Sequence, residues 1–186
     1  MHGLFCGAMV AVAGFYLQMQ NTGIRKDTFA RNYALIDKKF SALHKEALGN
    51  DQKINKYGYP DIGNNIYSEL LPYRDWVRVN NAQRAHENLI TSMIVFYPNA
   101  FIGLLVYPRL TLAMMYVFLT LRIWHIKGYL SFRGHNKATA AEEFSKLVLI
   151  GMVFVSLVAS LRMLGVTQKL AFLNKMVPKR FRKANK

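Results

Sequence analysis

Apolar and polar residues fall into long blocks along this chain, and the block lengths set the first expectations. Uncharged runs cover Gly3–Ile24, Asn88–Pro108, Leu110–Leu121 and Leu147–Leu161. A helix rises about 1.5 Å per residue, so roughly 20 mostly apolar residues cross the hydrocarbon layer of a bilayer. The first two runs reach that length directly. The third reaches it by continuing through Arg122 to about Phe132, and the fourth by continuing through Arg162 to about Gln168. A membrane barrel would instead need short segments of strict alternation. The pattern predicts an all-α integral membrane protein with four spanning helices, arranged as a four-helix up-down bundle by its short later connections.

The polar stretches fill in the rest. In residues 25–48, Phe29, Tyr33, Leu35, Ile36, Phe40, Leu43 and Leu48 make a loose helical stripe. Gly49-Asn50-Asp51 is expected to stop it. This helix either prolongs the first span beyond the membrane or lies along the interface. The following "YGYPDIGNNIYSELLPYRDW" is rich in Gly, Pro, Asn and Tyr and reads as an ordered loop with turns, packed on something. The chain thus divides into a first transmembrane helix (1–24), a polar basic connection (25–79), a core with helices two to four (80–168) and a basic tail (169–186). The first run lacks a basic n-region and is longer than a typical signal h-region, so a retained anchor is expected.

Composition changes the picture in one respect. The chain is 52% hydrophobic, yet its mean hydropathy is only +0.08, because very apolar and very polar segments cancel. Net charge is +15. Its cations gather in residues 25–78, with ten Lys/Arg, and in residues 169–186, with seven. Basic segments beside apolar spans contact anionic lipid headgroups or acidic surfaces of neighbouring proteins, and nucleic acid is not the expected partner. The two clusters fall on opposite faces, which leaves the orientation open. Cys6 has no base or metal partner nearby and reads as a small buried apolar residue.

The candidate chemistry lies at two helix ends. Arg84, Asn88 and Thr91 are spaced i, i+4, i+7, and Arg122, His125 and Tyr129 are spaced i, i+3, i+7, so each set shares a face. Helix direction brings the start of helix two and the end of helix three to the same membrane side. Ionisable groups within spans usually face the bundle interior or an aqueous cavity. Two readings stand side by side. In one, the sets line an interhelical pocket whose arginines grip a ligand bearing carboxylates with bidentate forks. In the other, Arg122 pairs with Glu87 or caps carbonyls, and His125 is a satisfied interfacial side chain. His86, Glu87 and His125 lack a recognised metal-ligand spacing. No Ser or Cys has the base and orienter that nucleophilic hydrolysis needs.

At these residues the sequence resembles the MAPEG family, the membrane-associated proteins of eicosanoid and glutathione metabolism. "QRAHEN" at 83–88 is similar to the family's Arg-Ala-His-x-Asn at the start of helix two. "YPRLTLAMMYVFLTLRIWHIKGYL" at 107–130 is similar, in the order and spacing of Pro108-Arg109, Arg122, His125 and Gly128-Tyr129, to the helix-three pattern. "KYGYP…IYS" resembles the loop before the first motif. The resemblance covers roughly residues 55–165. It implies a homotrimer of four-helix bundles, with glutathione between adjacent subunits near one membrane face and a lipophilic substrate entering from the bilayer. Arg84, Asn88, Arg122, His125 and Tyr129 would then hold the tripeptide. Lys137 falls near the family's thiolate-stabilising arginine, and with Tyr129 would serve the chemistry, because the thiolate is the nucleophile.

The pattern also departs from the family's. Thr91 stands where a Glu that meets the glutathione ammonium is usual, Glu87 adds a negative charge between His86 and Asn88, and Tyr97-Pro98 lies about one turn later than the usual Tyr-Pro. Three functions follow. The first is a glutathione-dependent transferase or peroxidase, with activity reduced or lost at Thr91 and Glu87. The second is a non-catalytic accessory subunit of a large membrane complex, for example a mitochondrial respiratory assembly. The third is a lipid-binding or transport protein. The expected location is the mitochondrial inner membrane or the endoplasmic reticulum membrane.

Overall fold

The computed structural model describes residues 1–49, 52–131 and 135–165, with the side chains of residues 135–137 left aside. Its elements are α1 (His2–Arg31), α2 (Tyr33–Leu48), α3 (Tyr73–Val106), α4 (Pro108–Leu130) and α5 (His135–Met163), with one 3-10 turn at Ser68–Leu70. Among the described residues there is no strand. Four helices are long and apolar enough to cross a membrane: α1, α3, α4 and residues Ala138–Met163 of α5. The four expected spans are therefore present. Their starts differ. α3 begins at Tyr73, well before Asn88, and α5 begins at His135, well before Leu147.

Both early starts have local causes. In α3 the buried Val79, Ala82, Ala85 and Leu89 keep a helical stripe running through the polar stretch, after Pro72 and with Asp75 in the first turn. In α5, Lys146 reaches back to Glu142 at 2.9 Å and to Glu143 at 2.8 Å, pairs spaced as a helix favours. Charge stops a transmembrane run without stopping a helix.

α3 sits at the centre, packed against α1, α4 and α5. One core cluster joins Cys6 and Val10 to Phe96, Phe118 and Met152. The stacked rings of Phe96 and Phe118, 4.7 Å between centroids, fill its middle. Cys6 is fully buried there, as expected of a small apolar side chain. The Tyr97 hydroxyl donates to the Gly7 carbonyl at 3.1 Å and ties α3 to α1. A second cluster joins Leu17, Ala85, Leu89, Ile126, Tyr129 and Ala138. Between them, the clusters fix the depth at which α3 and α4 meet.

α2 continues from α1 after a break at Asn32, and Gly49 ends it with φ 103°. The loop of residues 52–71 folds back onto this junction, where Phe29, Ile36, Ile54, Tyr67 and Leu71 form a third cluster. Asp61 organises the loop. Its buried carboxylate accepts the backbone N–H groups of Gly63 (2.7 Å), Asn65 (3.2 Å) and Ser68 (2.8 Å) and the Ser68 hydroxyl (3.1 Å). Gly58, at φ +83°, lies so close to Phe29 that a Cβ there would meet the ring at 2.3 Å.

Candidate functional site

The site is built at the end of the bundle where α4 finishes and α5 starts. Arg122 is 1% exposed and His125 fully buried, although both stand in a spanning helix. Every buried polar group needs a partner, and a charged one needs several. Arg122 finds one partner, donating from Nη2 to the Ser92 hydroxyl of α3. Its Nε and Nη1 have no hydrogen-bond partner among the described residues. Phe118 lies under the guanidinium, 5.3 Å from ring centroid to Cζ.

His125 is held by α5. Its Nδ1 stands 3.0 Å from the Ala138 carbonyl, which can only accept, so that nitrogen carries the proton. The opposite Nε2 is buried without a partner among the described residues and, in the neutral ring, offers a lone pair. Tyr129 packs on the imidazole with 4.6 Å between centroids and is 8% exposed. Glu142, 12% exposed, lies within electrostatic reach of Arg122, His125 and Tyr129, while its own close ion pair is with Lys146.

The α3 set is placed differently. Ala85, Leu89 and Ser92 turn into the bundle, so Arg84 and Thr91 are exposed and Asn88 is half-buried. Arg84 still lies within electrostatic reach of Tyr129. Within one chain the structure therefore brings Arg122, His125 and Tyr129 together with Ser92, and leaves Arg84, Asn88 and Thr91 on an outward face beside them. Glu87 does not pair with Arg122. Gln83 donates to its carboxylate at 2.6 Å and receives an N–H from Asn21 at 2.6 Å, a chain that links α1 to α3. Tyr97, a turn deeper, serves helix packing. Lys137 lies in the first turn of α5, and its side chain falls outside the described residues. The basic tail, 169–186, also falls outside them. Among the described residues no group of three or more His, Cys, Asp or Glu could hold a metal ion.

A family model described as MAPEG family matches residues 4–158. The chain belongs to the MAPEG family. No curated protein and no solved structure matches it. The match takes in α1, α2 and the first half of the polar connection, a wider span than the motifs at 55–165 carry. The two polar sets thus belong to one MAPEG bundle, and the family accounts for a membrane protein of glutathione and eicosanoid type. Sequence reasoning missed two members of the site. Ser92 follows Asn88 by one turn, so the spacing that grouped Arg84 with Asn88 extends to it only if the inner face is considered. Glu142 precedes the uncharged run Leu147–Leu161, and its signal was the Glu142–Lys146 pairing across one turn.

Proposed function

We propose that this MAPEG protein is a glutathione-dependent membrane enzyme of transferase or peroxidase type, with its site completed where copies of the chain meet. The supporting observation is the unspent hydrogen-bonding capacity of Arg122 and His125. Among the described residues Nε and Nη1 find no partner, and a buried guanidinium in that state costs several kcal/mol in apolar surroundings. A carboxylate that accepts from Nε or from Nη1 would relieve part of that cost through a charge-assisted hydrogen bond. Glutathione carries two carboxylates, one ammonium and a thiol. The donors fit the carboxylates, and Tyr129 with Lys137 would hold the thiol as thiolate, the form that attacks an electrophile or a peroxide.

The ammonium poses the harder question, because Thr91 brings no charge. Glu87 stands one turn before Thr91 on the same outward face, so it offers a carboxylate about 6 Å from the usual place. A shifted ammonium contact fits weaker binding with the chemistry retained. The outward placement of Arg84, Asn88 and Thr91 favours a homotrimer, in which a neighbouring copy would cover them. A second reading, an accessory subunit of a larger complex, draws on a different observation. Leu35, Leu43 and Leu48 of α2 are each more than half exposed beyond the loop cluster, at 55%, 59% and 63%, and would suit a neighbouring protein.

Isothermal titration of the purified protein with glutathione tests the first reading. Heat at millimolar or lower concentration, lost in Arg122→Met, is the expected outcome. No heat and no conjugation of a generic electrophile would reject the enzyme. A free homotrimer on native gels counts against the accessory reading.

A further inference from the structure

A groove of about 570 Å³ runs between α1 and α4, away from the Arg122 site. Met9, Val12 and Tyr16 line it from α1, and Leu119, Ile123 and Lys127 from α4. In a spanning bundle such a cleft opens sideways to lipid. Its polar groups gather at one end. Leu17, next to Tyr16, and Ile126, next to Lys127, pack in one cluster, so Tyr16 and Lys127 stand at one level. Ser131 joins them at the end of α4. The ammonium of Lys127 has no ion pair among the described residues. Trp124, one turn earlier and 51% exposed, belongs at the headgroup level, where indole rings concentrate.

An occupant must satisfy both halves of this cleft. A helix from a second copy would fill the apolar half and bury an unpaired ammonium against it, which is costly. A lipid tail fills the same half and carries its own anion to the right depth. We propose that the α1–α4 groove binds a phospholipid of the bilayer with an anionic headgroup. One acyl chain lies along Met9–Ile123, and the phosphate meets Lys127 Nζ and Ser131 Oγ. Basic pockets between spanning helices at the headgroup level select anionic lipids for this reason. The proposal does not depend on glutathione chemistry, since neither Lys127 nor Ser131 belongs to the Arg122 site.

Native mass spectrometry of the delipidated full chain in neutral detergent tests it, with phosphatidylglycerol, phosphatidylcholine of the same acyl chains, and palmitate as probes. Phosphatidylglycerol should be retained more strongly than phosphatidylcholine. Lys127→Gln should lower its retention about fivefold and leave phosphatidylcholine unchanged. Ile123→Trp, which fills the groove from an exposed position, should lower retention of both. Unaltered thermal unfolding of the variants keeps the comparison valid. Equal phosphatidylglycerol retention by the parent and Lys127→Gln overturns the proposal. So does binding of palmitate alone, which identifies a fatty-acid site. A change of oligomeric mass in Ile123→Trp without a change in lipid count also overturns it, because the groove is then a contact between copies.

Discussion

Asp61 and Arg122 are the two buried charges on which the comparison turns, being 2% and 1% exposed. Asp61 sits in the loop over the α1–α2 junction and accepts three backbone N–H groups and a hydroxyl. Arg122 sits between spanning helices, spends one donor on Ser92 and finds no partner for Nε and Nη1 among the described residues. A carboxylate that satisfies three backbone N–H groups holds a loop together. A guanidinium with donors left over contributes little to the same fold and is costly to keep. Hydrogen-bond accounting thus separates a charge spent on the fold from one with donors left over among the described residues.

That contrast can be broken by substitution. The largest effect is expected of Asp61→Ala, which strands buried N–H groups at Gly63 and Ser68. Thermal unfolding in detergent should show a loss of about 3 kcal/mol. A loss below about 1 kcal/mol would mean that Asp61 is not the organiser of the loop. Next comes Gly58→Ala, whose Cβ meets the Phe29 ring at a positive φ. The same measurement should give about 2 kcal/mol. Arg122→Met should leave stability within about 1 kcal/mol of the parent or raise it, as replacement of a poorly compensated buried charge often does. Under the glutathione reading, the same variant should bind the tripeptide ten- to a hundredfold more weakly, from the loss of charge-assisted contacts of ~1.5–3 kcal/mol. Destabilisation comparable to Asp61→Ala would erase the contrast.

A smaller effect sharpens the loop side of the comparison. Burial, and then the nearby Asp61 carboxylate, push the Tyr67 phenol above its ordinary value. The folded value therefore exceeds the unfolded one of about 10. Stability from this group is complete below that pH and falls as pH rises through the folded value, because the unfolded chain ionises first. Alkaline unfolding curves should show the decline, and Tyr67→Phe should remove it. Smallest is Asp27→Asn, which loses only exposed pairs with Arg31 at 3.3 Å and Arg78 at 3.5 Å. A change within about 0.5 kcal/mol is expected from the same melts.

How much of this was legible in the sequence depended on what each residue answered to. The four spans were readable because a bilayer imposes length and apolarity on every crossing helix. The helix starts at Tyr73 and His135 were not, since water tolerates charged turns and no bilayer rule marks where they begin. Spacing placed Arg122, His125 and Tyr129 on one face correctly. It could not say that Arg84 and Thr91 turn outward, because that depends on Ala85 and Leu89 winning the inner face of α3. Ser92 and Glu142 were hidden for a related reason. A buried arginine chooses its partner by distance across helices, and sequence spacing measures only distance along one.

The connection between α3 and α4 has a practical consequence. Tyr107 alone separates the helices, and it is itself held at both ends. Its N–H donates to the Gly103 carbonyl at 2.7 Å, and its carbonyl accepts from Thr111 at 3.0 Å. Proteases cut chain that can leave its hydrogen bonds and extend into the enzyme's cleft. At the membrane face where α1 begins, this clasped tyrosine is the only non-helical residue between His2 and Met163 among the described residues. Trypsin added to that side of sealed vesicles should therefore spare the bond after Arg109, although arginine is its target. From the opposite side the enzyme meets Lys53 and Lys56 in the loop of residues 52–71. The digestion pattern of sealed vesicles thus reads out which way the protein was inserted.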